Sequence, residues 1–276
     1  MQEGVASEPV VSADVESAAL SPPDDRLSSA APGQRPMSNW ASRAFLWANA
    51  AALAAVLIGG MFIVHNGYVA VPDEGVYSAQ ALNLADGSWA GSRPAPDIDV
   101  DGKFDALGPL AVVGDQVIPH GRNPIYPVVL APAYKLGGTV GLLLVSVLGT
   151  WVAAVVTAFI ARRFRLGYGV PALWLTGLGT PLVFSAVLVA AHSLAAAACA
   201  VMLLALAMTL DQRRVLFLPV AVFATGLLVG LRSEGLIVAI AVGLVVGLMS
   251  MPTPRARTVD RLGVATALSV LGAAAV

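Results

Sequence analysis

Successive runs of about 20 apolar residues, punctuated by short arginine-bearing segments, constrain this chain more than any other feature. Ala44–Val64 carries no charged side chain, and Val140–Ile160, Val170–Ala190 and Leu194–Leu210 repeat the pattern. A helix rises about 1.5 Å per residue, so each run matches a hydrocarbon layer about 30 Å thick. Val215–Leu231 and Leu236–Ser250 are shorter runs of the same kind. Leu262–Val276 begins another and stops without a polar flank, which reads as a truncated C-terminus. With 12% charged residues, against about 25% in a typical soluble domain, the chain cannot cover a water-facing surface. The fold class expected is an all-α integral membrane protein, a multi-span helical bundle.

The arginines sort by side. Arg26, Arg35 and Arg43 precede the first run, and Arg162, Arg163 and Arg165 follow the second. Arg213 and Arg214 follow the fourth, and Arg255, Arg257 and Arg261 follow the sixth. If each run crosses once, all of them lie on one face, which the positive-inside rule assigns to the cytoplasm. Residues 40–276 then form the membrane module, with a long outer loop at 65–139 and short outer turns at Ala191–Ser193 and Arg232–Glu234. Residues 1–39, rich in Ser, Pro, Ala and Asp, read as a disordered cytoplasmic N-terminus because they cannot bury a core. Pro124–Leu136 is apolar but too short to cross, and Pro124, Pro127 and Pro132 interrupt it. It reads as a short helix lying in the outer interface.

Charge and cysteine content exclude several functions. A net charge of −1 argues against nucleic acid as a partner. A single cysteine, Cys199, permits no disulfide framework and no cysteine-based metal site; in its apolar run it reads as a small packing residue.

The outer loop carries the chemistry. Pro72 suits a first helical turn, which sets Asp73 and Glu74 at the positive end of a helix dipole. Val76, Tyr77, Ala81 and Leu84 recur at helical spacing and Gly87 marks a stop, predicting a short amphipathic helix over about Glu74–Asp86 that rests on the membrane. Simple capping by Asp73 is the plainer alternative. Asp97, Asp99 and Asp101 resemble the first half of a calcium loop, but Gly108 stands where the motif needs Glu. Asp101-Gly102 fits a hairpin turn better. Arg122 can hold a phosphate in bidentate fashion and His120 can hydrogen-bond to one, although both also suit an ordinary polar loop near headgroups. His192 separates two apolar runs. Arg232 and Glu234 sit between two short ones, where charge is costly and tends to mark a cavity; a structural ion pair is the alternative. Gly226/Gly230 and Gly243/Gly247 have GxxxG spacing, suited to close helix packing.

Together these segments resemble the GT-C superfamily of polytopic glycosyltransferases, which includes protein O-mannosyltransferases and aminoarabinose transferases. Pro72-Asp73-Glu74 with Tyr77-Ser78-Ala79 and Leu84-Ala85-Asp86-Gly87 looks like the acidic motif that follows the family's first helix. Arg122-Asn123-Pro124-Ile125-Tyr126-Pro127, running to Tyr134-Lys135-Leu136-Gly137, looks like its proline-rich interfacial helix, and Val140–Phe164 like its next span. Thr180-Pro181-Leu182-Val183-Phe184-Ser185 looks like the third span before the second outer loop. Gly226–Gly230 with Leu231-Arg232-Ser233-Glu234-Gly235 looks like a later conserved segment. The resemblance covers about residues 44–250. It implies transfer of a sugar from a polyprenyl-phosphate donor to a glycan, lipid or protein hydroxyl at the extracytoplasmic face of the plasma membrane, with inversion at the anomeric carbon. Asp73 becomes the catalytic carboxylate, with Glu74 its neighbour. Arg122, His120, Arg232 and Lys135 become the candidates for the donor phosphate, though Lys135 also suits snorkelling to headgroups. His192, Glu234 and Tyr77 fall to the acceptor side. The family often has an acidic residue where this chain has His192, which leaves a divalent cation an open matter. A transporter, or an inactive or truncated relative of the glycosyltransferases, is the competing expectation.

Overall fold

A computed structural model describes residues 39–64, 72–92, 111–113, 116–118, 124–212 and 215–249. The N-terminal segment, the Asp97–Gly102 turn, His120, Arg122 and the run from Leu262 lie outside the described residues. Among the described residues eight α-helices carry the fold: α1 (Asn39–Val64), α2 (Pro72–Ala85), α3 (Ile125–Phe164), α4 (Gly169–Leu178), α5 (Leu182–Ala186), α6 (Ala191–Gln212), α7 (Leu218–Leu231) and α8 (Glu234–Met249). A small antiparallel sheet joins β1 (Gly91–Ser92), β2 (Ala111–Val113) and β3 (Gln116–Ile118) in the order β1-β3-β2. It ties the chain leaving α2 to the chain approaching α3.

Among the described residues, three stretches are long and apolar enough to cross a membrane: Ala41–Val64, Ile125–Phe164 and Ala191–Leu210. Their outward faces are as apolar as their inward ones. Leu53, Leu142 and Met202 are fully buried, whereas Phe62, Leu148 and Leu203 on the same helices are exposed. A helix that is hydrophobic all round belongs in lipid or a large core, and the exposed apolar set suits a lipid surrounding. Inside, small residues such as Ala153, Ala154, Ala158, Ala195, Ala198, Ala221 and Ala224 let helices approach closely.

The segment expected to lie flat in the interface does something else. Gly138 adopts φ 56° and ψ −142°, outside the helical region, a conformation that glycine tolerates and other residues resist. It divides α3 into limbs at 125–137 and 139–164. Tyr126 Oη lies 3.2 Å from Ser146 Oγ; in a straight helix twenty residues would separate them by about 30 Å. The limbs therefore fold back as a helical hairpin, and Pro124–Leu136 packs along the next run. Apolar length alone could not reveal this, because the break needs only one glycine at positive φ. At the crossing, a Cβ on Gly141 would strike the Ala133 carbonyl. We expect Gly141→Val to destabilise the hairpin by at least about 3 kcal/mol, read as a lowered thermal midpoint in detergent beside a Val140→Ala control.

α1 runs antiparallel to the second limb. Arg162 Nη2 donates to Ser42 Oγ at 3.1 Å, and Trp151 Nε1 donates to the Ala50 carbonyl at 2.8 Å. The start of α1 and the end of α3 thus share one end of the structure, in line with the arginine sorting of the sequence. The run expected at Val170–Ala190 is broken. α4 stops at Leu178, because Pro181 has no N–H to give and disfavours helix at Thr180. Ten helical residues reach only about 15 Å. The chain then makes the α5 turn and enters α6. Leu182 O and Ser193 Oγ lie 3.4 and 2.9 Å from the Thr150 hydroxyl. The excursion begins and ends at one side chain, midway along the second limb of α3.

Candidate functional site

α2 occupies nearly the range its periodicity predicts. It ends where Gly87, at φ 84°, lets Ser88 N–H reach the Asn83 carbonyl at 2.9 Å. The face it buries is not purely apolar. Ala81 and Ala85 are buried as expected, but so are Glu74 and Gln80, at 1% and 2% exposure. α2 therefore packs into protein rather than resting on lipid, and contacts the α3 hairpin. Tyr77 sets its ring edge-on to Tyr126, with centroids 5.0 Å apart and planes at 88°. Aromatic pairs favour this arrangement, where a positive edge meets a negative face.

Glu74 reaches across to the segment before α6. Its Oε1 accepts the Val189 N–H at 3.0 Å. A carboxylate taken out of water is costly unless hydrogen-bonded, and a backbone amide in a turn is a donor in need of a partner. The bond satisfies both. Asp73 lies in the first turn of α2, and its side chain lies outside the described residues.

Three residues after Val189, His192 enters a second cluster. α6 begins at Ala191, so the expected Ala191–Ser193 turn is already helix, and the true turn is Val187–Ala190. Gly149 permits this: a Cβ there would sit 2.7 Å from the Ser193 carbonyl carbon, which puts the backbones of α3 and α6 in direct contact. His192 Nε2 lies 2.8 Å from Arg232 Nη1. A guanidinium has no acceptor, so Nε2 accepts and the neutral imidazole carries its proton on Nδ1. Arg232 also grips Glu234, with Nε to Oε2 at 3.1 Å and Nη2 to Oε1 at 2.8 Å. This fork matches the planar geometry of a carboxylate. Arg232 caps the end of α7 in extended conformation, and Glu234 opens α8, where the helix dipole favours a negative charge. The GxxxG residues divide: Gly230 meets the Ile125 side chain, while Gly226 faces open space among the described residues.

The Arg232 hydrogen bonds hold the Glu234 carboxyl below the usual carboxylate range. A carboxyl depressed in the folded state contributes stability above its unfolded value, about 4.3, and loses that contribution as pH falls through the folded value. In Arg232→Met the Glu234 midpoint should rise toward the ordinary value, read by carbon NMR titration of the carboxyl.

The fold thus gathers His192, Arg232 and Glu234, and links Glu74 to the same end of α6. Lys135 is not brought there. It is exposed near the hairpin tip, about 15 Å along its limb from Ile125, which packs against Gly230. The sequence offered no direct sign of the buried hydroxyls Ser146, Thr150 and Ser193, although Ser146 and Thr150 share a helix face at i, i+4 spacing. His192 and Glu234 are exposed and Arg232 is half-buried. Thr150, level with the start of α6, lies about 18 Å along its limb from Gly138. Among the described residues, no three His, Cys, Asp or Glu side chains stand close enough to hold one metal ion.

No family model matches the sequence, and neither a curated protein nor a solved structure matches it.

Proposed function

We propose that this chain is a glycosyltransferase of the GT-C kind. It moves a sugar from a polyprenyl-phosphate donor to an acceptor hydroxyl of a glycan, lipid or protein at the extracytoplasmic face of the plasma membrane. In this reading the helices form a multi-span bundle with a cytoplasmic N-terminus. The observation that supports it most is the convergence of three segments distant in sequence. Glu74 of α2 bonds Val189, and His192, three residues on, bonds Arg232 of the Arg232–Glu234 pair.

The mechanism follows from general acid–base chemistry. The acceptor oxygen attacks the anomeric carbon, the bond from that carbon to the phosphate oxygen breaks, and the configuration inverts. Asp73 takes the hydroxyl proton. The lipid phosphate leaves with the electron pair, and Arg232 stabilises the charge that develops on it. Three of the five guanidinium N–H groups of Arg232 are engaged among the described residues, which leaves two for phosphate oxygens. Arg122 and His120 are further phosphate candidates. The test is release of label from radiolabelled polyprenyl-phosphate sugars by membranes containing the full chain, with and without a chelator. Label that stays on every donor tried, with the chain well expressed, would overturn the reading.

A transporter is the second reading, and the interruption between α4 and α5 favours it, since transporters build midplane sites on discontinuous helices. In proteoliposomes a transporter moves the intact labelled molecule across the bilayer and breaks no glycosidic bond.

A further inference from the structure

Glu74 and its neighbour Asp73 are adjacent in sequence, yet the fold treats Glu74 as an internal bracket. It is buried at the start of α2, and its Oε1 holds an amide of the Val187–Ala190 turn. Val189 and Ala186 are also buried in the core, so apolar packing holds the turn in place, while Glu74 supplies a long-range hydrogen bond to its backbone. α5 is only five residues long, and the backbone bonds through the turn are local, Val187 N–H to the Phe184 carbonyl and Ala190 N–H to the Leu188 carbonyl. Three residues beyond Val189, in the first turn of α6, stands His192, bonded to Arg232. On the α2 side, Tyr77 follows Glu74 at i+3 and packs on Tyr126, so the same helix face is held twice.

We infer that Glu74 is a positioning residue: its carboxylate locks the first turn of α2 to the Val187–Ala190 turn and so holds the Asp73 helix and the His192–Arg232–Glu234 cluster as one unit. The inference rests on the proposed function only for its catalytic consequence; the lock itself is structural. It makes a distinctive prediction about substitutions. A lock needs an acceptor at the right reach, not a titrating group. Glu74→Gln keeps an oxygen at the same length, Glu74→Asp draws it back by one methylene, and Glu74→Ala removes it.

The test uses the full chain in micelles, with hydrogen exchange at the Val189 amide followed by NMR. Exchange should accelerate about tenfold or more in Glu74→Ala and Glu74→Asp, and change less than about threefold in Glu74→Gln. If Glu74→Ala does not fold, the Asp and Gln pair still decides. Val189 protection unchanged in Glu74→Asp overturns the lock. For transfer, Glu74→Gln should retain most of the kcat/KM that Glu74→Ala loses and should keep the acid limb of the pH profile, if the proposed base Asp73 sets it. Loss of that limb in Glu74→Gln, with Val189 still protected, makes Glu74 the titrating group and overturns the positioning role. Absence of transfer by the unaltered chain overturns the glycosyltransferase reading and leaves the exchange result to judge the lock alone.

Discussion

On the proposed function, Asp73→Asn should lower sugar transfer by about 10²–10⁴-fold, the usual contribution of a positioned general base, while membrane insertion and yield stay as in the parent. Asparagine preserves size and can still cap the first turn of α2, so a fold defect is not expected. Label release from the lipid donor should fall with kcat, and the acid limb of the pH profile should vanish with it. Turnover within tenfold of the parent would remove Asp73 from the chemistry. It would also favour the plainer role of Asp73 as a helix cap.

Arg232→Lys should be nearly as damaging, at about 10²–10³-fold in kcat, the scale of losing one stabilising donor at a developing anion. Lysine keeps the positive charge but not the planar fork. It cannot hold Glu234 through two parallel bonds while donating to His192. The loss should therefore appear in kcat with little change in KM, as for an interaction made in the transition state. Activity within tenfold of the parent would show that charge alone suffices and that the Arg232–Glu234 pair is structural. An independent readout is the His192 ring, whose Nε2 should lose the Arg232 proton contact in the NMR spectrum.

α2 was legible almost to the residue. Pro72 opens it, Gly87 closes it, and the apolar positions recur at helical spacing. Of the six runs, the first, second and fourth fall on the three helices long enough to cross, the third is broken between α4 and α5, and α7 and α8 are shorter. The common side of Arg43 and Arg162 was legible, because composition and local periodicity need no partner to be read. The burial of Glu74 was not. From the sequence, Asp73 and Glu74 differ only by one position, and a helix turns about 100° between neighbours. Whether Glu74 faces inward depends on what packs against α2, and the α3 hairpin does that.

The hairpin shows the same division. The prolines of Pro124–Leu136 marked an irregular segment, but a single glycine at φ 56° sends it back along its neighbour instead of across an interface. Likewise Thr180-Pro181 announced a break, yet only the meeting of Leu182 and Ser193 at Thr150 sets how deep α6 begins. By itself the sequence determined that the chain is built of apolar helices, the approximate course of α1, α2 and α8, and which residue types could do chemistry. These properties follow from hydropathy and from interactions within a few residues. Only the tertiary structure decided that Glu74, His192, Arg232 and Glu234 meet at one end of α6 while Lys135 does not. Contacts between residues 40 or 115 positions apart are set by close helix packing, and no local pattern encodes them.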